Sequence, residues 1–182
     1  MEVKRIVIIG GPGSGKTTLI NHLQEMGHPC MHEISREITS EAQKEGVEQL
    51  FLEQPLRFSQ KLLEGRLTQF HAAETLNTNE YLFYDRGMPD VTAYMDYVGT
   101  SYPKNFDSIC ENHRYDAIFM LPPWEEIYET DNERYESFEQ AQIIHEFLLK
   151  GYEKHGYQIT FVPMVSVANR IQFILEKLKE LA

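Results

Sequence analysis

Residues 6–23 read Ile6-Val7-Ile8-Ile9-Gly10-Gly11-Pro12-Gly13-Ser14-Gly15-Lys16-Thr17-Thr18-Leu19-Ile20-Asn21-His22-Leu23. The apolar run at the front has the character of a buried strand, and Leu19, Ile20 and Leu23 open an amphipathic helix. Between them, Gly10 to Thr17 match the phosphate-binding pattern G-x-x-x-x-G-K-[ST] in the order strand, loop, helix that the pattern requires. The glycines let backbone N–H groups turn inward as an anion nest, and the helix behind the loop aims its positive end at the bound phosphates. Gly11, Pro12, Gly13, Ser14, Gly15, Lys16, Thr17 and Thr18 are therefore the expected nucleotide-binding residues. Lys16 reaches the β- and γ-phosphates, and the Thr17 hydroxyl is a Mg²⁺ ligand. ATP with Mg²⁺ is the expected ligand pair.

Downstream, strand and helix signals alternate, which predicts an α/β fold with a parallel sheet covered on both faces. The strands are expected at about 5–10, 30–32, 81–84, 117–121 and 158–162. Helices are expected at about 15–26 and 35–45, from Pro55, from Pro89 to Gly99, around Phe138–Leu148, and over the closing segment with Ile171, Ile174 and Leu178. Gly27, Gly46 and Gly99 are the expected helix stops. Nothing reads as a linker or repeat, so residues 1–182 form one predicted domain.

Composition narrows the partners. A net charge of −11 argues against general affinity for nucleic acid or anionic membrane. No apolar run approaches the roughly 20 residues of a membrane span. The chain enters its first strand almost at once, and Cys30 and Cys110 lack metal-ligand spacing, so a cytoplasmic location is expected. His28 and His32 flank a short strand and suggest no metal site.

Ligands in open α/β sheets bind beyond the carboxyl ends of the strands. Asp85 ends the third strand, where a carboxylate holds Mg²⁺ or its water; capping the next helix is its other reading. Arg86 beside it can bind phosphate or substrate bidentately. Glu33 follows the second strand and reads equally as a general base toward a substrate hydroxyl or as a solvated loop carboxylate. Arg36 lies one helical turn later and is a candidate for substrate binding. The polar stretch 122–136 reads as a lid that brings Arg134 to the transferred phosphate, or as an acidic solvated loop. Arg57, Lys61 and Arg66 line an acceptor pocket or form a solvated helix face. Trp124 has two readings, packing under that stretch or beside a base.

The ordered set Gly10–Thr18, His32-Glu33-Ile34-Ser35-Arg36-Glu37, Tyr84-Asp85-Arg86-Gly87-Met88-Pro89-Asp90, Leu121-Pro122-Pro123-Trp124-Glu125 and Glu133-Arg134-Tyr135-Glu136-Ser137-Phe138 covers most of the chain. It resembles a family of small ATP-binding proteins, predicted ATPases with an AAA-type domain, related to the nicotinamide-riboside kinase part of a bacterial NAD regulator. More distantly it is similar to deoxyribonucleoside and nucleotide kinases, and Glu33, Asp85, Arg86 and Arg134 match their base, strand-end acid, substrate arginine and lid arginine. The resemblance implies a three-layer, nucleotide-kinase-like P-loop NTPase with a five-stranded parallel sheet. It implies catalysis by Lys16, Glu33, Asp85 and Arg134. The leading expectation is an ATP- and Mg²⁺-dependent phosphotransferase acting on a small hydroxyl-bearing acceptor, with a nucleoside-like molecule as one candidate. The alternative is a nucleotide-hydrolysing switch that binds a protein partner. The Asn-Lys-x-Asp pattern that reads guanine is absent, which favours ATP and the kinase.

Overall fold

The computed structural model describes residues 3–74, 81–128 and 136–180. Five parallel strands form one sheet: β1 (Lys4–Ile9), β2 (Cys30–Met31), β3 (Tyr81–Asp85), β4 (Ala117–Met120) and β5 (Ile159–Phe161), in the spatial order β2-β3-β1-β4-β5. The connecting helices are α1 (Lys16–Glu25), α2 (Ser35–Lys44), α3 (Leu50–Glu53), α4 (Pro55–Ala72), α5 (Met88–Tyr97), α6 (Asn105–Asn112), α7 (Phe138–Lys154) and α8 (Val167–Glu180).

Alternation along β1 makes the three layers. Ile6 and Ile8 point to one face, with Phe83, Phe119 and Leu121, and are covered by Leu19, Ile20 and Leu23 of α1 and Ile171, Ile174 and Leu178 of α8. Val7 and Ile9 point to the other, with Leu82, Tyr84, Ile118 and Met120, beneath α2, α4, α5, α6 and α7. Both faces are dry, which is why these strands read as continuous apolar runs. Among the described residues no helix is long and apolar enough to cross a membrane.

The expected strands and helices are present, with small boundary differences; the first strand ends at Ile9, one residue short of the expected Gly10. The helix C-termini at Gly27, Gly46 and Gly99 fall where expected, and Gly27 at φ 90° lets the His28 N–H turn back to the Leu23 carbonyl. Helices α3 and α6 were not expected. The first is a single turn, and the second buries only Phe106 and Cys110 among polar neighbours, too few for a periodic signal.

One close approach positions the functional end of the sheet. At Gly151, a Cβ would lie 2.7 Å from the Ala93 Cβ, so α7 touches α5 almost backbone to backbone. This brings the neighbouring Tyr152 hydroxyl to the Asp90 carboxylate at 2.6 Å. Gly151→Ala is expected to lower the unfolding free energy by about 1–3 kcal/mol, because Ala93 has no rotamer with which to yield. Gly65→Ala on α4 meets only the mobile Ile34 Cδ1 and improves helix propensity, so it should stay within about 0.5 kcal/mol of the parent or exceed it. Urea unfolding of the three proteins checks this; coincident curves for Gly151→Ala and parent would refute the tight crossing.

Candidate nucleotide and acceptor site

The loop between β1 and α1 has the geometry its glycines imply. Gly13 (φ 70°) and Gly15 (φ 84°) occupy left-handed conformations, and Gly15 is the residue from which α1 starts. The Lys16 ammonium is buried and folds back onto the loop, donating to the Gly10 carbonyl at 2.8 Å and the Gly11 carbonyl at 3.1 Å. Burial and the nearby Arg86 lower its pKa to about 8, partly opposed by Asp85, Asp90 and Glu33. Thr17 and Thr18 are exposed in the first turn of α1.

Beside this loop the ends of β2 and β3 converge. Glu33 lies two residues past β2 and accepts hydrogen bonds from the backbone N–H groups of Ile34 and Ser35. Its carboxylate also receives the Arg86 guanidinium at 2.7 Å and the Arg66 guanidinium at 3.2 Å. Burial alone would raise the Glu33 carboxyl, but Arg66 and Arg86 outweigh it and bring it down to about 2. Arg86 is in the left-handed region at φ 73°, unusual for a residue with a side chain, and its N–H still pairs with the Ile8 carbonyl of β1. The guanidinium is fixed from the other side by Asp90 and the Tyr94 hydroxyl, each at 3.3 Å. Asp90 is itself held by the Gly87 N–H and by Tyr152. Gly87 has room for no larger residue, since a Cβ there would stand 2.6 Å from the Tyr152 hydroxyl.

Asp85 is buried at the end of β3, and its Oδ1 accepts no hydrogen bond from the described residues. Burial raises its pKa, opposed by Lys16 and Arg86. An orphaned carboxylate oxygen beside a phosphate-binding loop is costly unless it serves a cation or its water shell. This fits the expected Mg²⁺ site with Thr17. Among the described residues there is no cluster of three or more His, Cys, Asp or Glu residues that could hold a metal without help from a bound phosphate.

Glu33, Asp85 and Arg86 thus lie together beside the loop, electrostatically coupled to Lys16. Arg36 is exposed on the first turn of α2. Arg134 lies outside the described residues. The three basic residues of α4 separate: Arg66 is 4% exposed inside the cluster, Arg57 makes a surface ion pair with Glu45, and Lys61 lines a groove with Glu37, Glu41 and Glu64. Sequence reasoning missed Asp90, Tyr94 and Tyr152, and gave Arg66 no role beyond a shared pocket. A signal for Arg66 existed: it stands between Leu62 and Phe70 at helical spacing, on the buried stripe of α4.

The fold is that of several solved structures. A deoxyadenosine kinase from M. mycoides, solved with dCMP and dCDP, superposes with a TM-score of 0.68 at 17% identity, over 97% of this chain and 99% of that one. A NadR protein in complex with NR gives 0.73 at 18% identity, over 99% of this chain and 52% of that one, so this chain spans about half its length. A NadR protein with NAD and AMP-PNP gives 0.69 at 17% identity, over 99% of this chain and 49% of that one. No curated protein matches the sequence. A family described as an AAA domain (AAA_28) matches residues 5–170. With its loop intact and most of its length inside that match, the chain belongs to this family of P-loop AAA domains.

Proposed function

We propose that this P-loop NTPase is an ATP- and Mg²⁺-dependent phosphotransferase acting on a small, hydroxyl-bearing acceptor of nucleoside type. The observation that carries the reading is the Glu33–Arg86 pair at 2.7 Å on the acceptor side of the P-loop lysine. A carboxylate to take a hydroxyl proton and a guanidinium to meet phosphate oxygens stand in contact. Kinase activity in structures of the same fold supports it. The charge count supports an uncharged acceptor. Lys16, Arg66 and Arg86 are matched within the group by Glu33, Asp85 and Asp90, leaving it near neutral and better suited to a hydroxyl than to a second phosphate.

The glycine loop and Lys16 hold the triphosphate, with the γ-phosphate toward Arg86. Thr17 and Asp85 would hold Mg²⁺, which when bound would neutralise phosphate charge. Arg86 exchanges part of its bond to Glu33 for a phosphate oxygen, which frees Glu33 to accept a hydrogen bond from the acceptor hydroxyl. A carboxyl with a pKa near 2 is a weak base at rest, and loss of Arg86 as a partner raises it. The largely dissociative transfer asks for orientation of the nucleophile first and proton removal late. The bond formed is acceptor O–Pγ, the bond broken joins Pγ to the β–γ bridging oxygen, and the hydroxyl proton goes to Glu33. A role for Arg36 toward the acceptor and for Arg134 on the transferred phosphate belongs to the same proposal.

Glu33→Gln should reduce acceptor-dependent ADP release by about 10²–10⁴-fold, the usual size of general-base catalysis, and spare slow acceptor-free hydrolysis. The paired assay, with and without the best acceptor from a screen of nucleosides, vitamins and sugars, checks the split. Equal loss in both arms would favour the hydrolysing switch instead.

Asp85→Asn should weaken the Mg²⁺ dependence of activity more than Mg²⁺-free nucleotide binding, since the amide keeps shape but loses charge. Titration of activity against Mg²⁺ reads this out, and an unchanged midpoint would make Asp85 a structural group only.

Lys16 gives a pH signature. In the free protein it loses its proton around pH 8, and phosphate oxygens raise that value in the complex. ATP affinity should therefore be full below about pH 8 and fall above it, with uptake of up to one proton on binding. Calorimetry in buffers of different ionisation enthalpy measures the uptake; affinity flat from about pH 7 to about 9.5 would sink the assignment.

A further inference from the structure

The backbone of the turn that carries Arg86 has anchors of its own. The Arg86 N–H donates to the Ile8 carbonyl at 3.1 Å, the Gly87 carbonyl accepts from Arg66 at 2.9 Å, and the Met88 N–H donates to the Tyr115 hydroxyl at 3.2 Å. Tyr152 takes part in none of these bonds. It is fully buried on α7, and its hydroxyl donates to Asp90 Oδ2 at 2.6 Å. The same oxygen accepts the Gly87 N–H at 3.0 Å, while Oδ1 faces Arg86 Nη1 at 3.3 Å.

A phenylalanine would fill nearly the same space without a polar group to desolvate. The hydroxyl instead makes a charge-assisted bond to a buried carboxylate, and that bond fixes which Asp90 oxygen is left for Arg86. Burial and the adjacent Asp90 push the Tyr152 hydroxyl well above its ordinary pKa, so it stays a donor through neutral pH. Arg86 stands between two carboxylates, Glu33 at 2.7 Å and Asp90 at 3.3 Å. When part of the Glu33 bond is exchanged for a phosphate oxygen, Asp90 is the charged anchor that remains, and its orientation decides where the guanidinium points. The contact of Gly151 with Ala93 sets the register in which α7 presents Tyr152 to Asp90.

We infer that Tyr152 is a positioning residue, which through Asp90 aims the Arg86 guanidinium at the terminal phosphate of the bound donor. The inference rests on the reading that the donor's γ-phosphate faces Arg86, and it adds that the aim is set from a different helix.

AMP-PNP and ADP share a base, a sugar and two phosphates and differ in the terminal group, so the ratio of their affinities isolates the part of the donor that Arg86 meets. Calorimetry with Mg²⁺ gives this ratio in the parent, Tyr152→Phe, Arg86→Ala and the double variant, each with its fold checked by circular dichroism. The parent should prefer AMP-PNP. Tyr152→Phe should lower that preference by about threefold or more and leave ADP affinity within about twofold. In the Arg86→Ala background the same change should lower it no further, because the group through which Tyr152 acts is gone. Asp90→Asn keeps the shape, loses the charge that holds Arg86, and should reproduce the loss; it carries the test if Tyr152→Phe does not fold. Equal losses for the two ligands in Tyr152→Phe would make the hydroxyl a support of the fold and overturn the inference. So would no loss for either, an unchanged preference in Asp90→Asn, or a loss of the same size with and without Arg86. A preference lowered by Arg86→Ala but not by Tyr152→Phe would remove the inference and leave the phosphotransferase reading standing. A preference that Arg86→Ala does not lower would remove both the inference and the role that reading gives to Arg86. The full expected pattern, in a protein whose ADP release no acceptor stimulates, would keep the inference and remove the phosphotransferase.

Discussion

The contact between Glu33 and the two guanidiniums of Arg66 and Arg86 is the constraint on which the functional end of the sheet depends. Arg66 and Arg86 are buried like charges, and without the carboxylate between them each would raise the cost of the other. With it they become fixed points. Arg66 ties α4 to the Gly87 carbonyl at 2.9 Å, and Arg86 ties β3 to Asp90 on α5. Asp90 in turn reaches Tyr152 on α7. Elements far apart in sequence meet through one carboxylate at the edge of the sheet. Buried ion pairs of this kind contribute little net stability against apolar packing of the same shape. Their effect here is to hold charge of known sign at known positions beside the phosphate loop.

The architecture places different groups on the two sides of the central strand. Residues after β2 and β3 are charged groups of both signs bonded to one another, whereas on the β4–β5 side a cation, Arg170, lies over the Trp124 ring and donates to the loop. The two faces of the sheet differ as well: one is covered by a thick layer built from α2 and α4 to α7, the other by a thin one built from α1 and α8. The backbone of Arg86, at φ 73°, is the one non-glycine residue in the left-handed region among those described. Strain of that kind persists where the surroundings over-determine it, and here Glu33, Asp90 and Tyr94 hold the Arg86 guanidinium in place.

Much of this was legible in the chain. The alternation of apolar runs gave the parallel sheet, because strands buried on both faces lack polar interruptions. The P-loop pattern marks the loop between β1 and α1, and strand-end logic singles out Glu33, Asp85 and Arg86, which the fold brings together beside that loop. The supporting residues were harder. Asp90 and Tyr152 are 62 positions apart and meet only through the α5–α7 crossing, which no local pattern records. Two buried arginines were legible in principle. Arg66 lies in register with Leu62 and Phe70, and Arg170 in register with Ile174 and Leu178. A cation on an apolar helical stripe is a sign of a buried partner, which for Arg66 the notion of a solvated basic face obscured. Helices α3 and α6 stayed hidden for the opposite reason, since each buries too little to leave a periodic trace.

The Tyr128 hydroxyl donates to the Glu136 carbonyl, and the Tyr128 ring meets that of Phe138 at 5.4 Å. The chain is thereby knotted to itself on either side of residues 129–135, next to the loop, and Ser137 then starts α7 with a reciprocal hydrogen-bonded cap to Gln140. Phe138 opens α7, so this pair couples the start of that helix to the segment after β4, and sliding one past the other would break a ring contact and a hydrogen bond together.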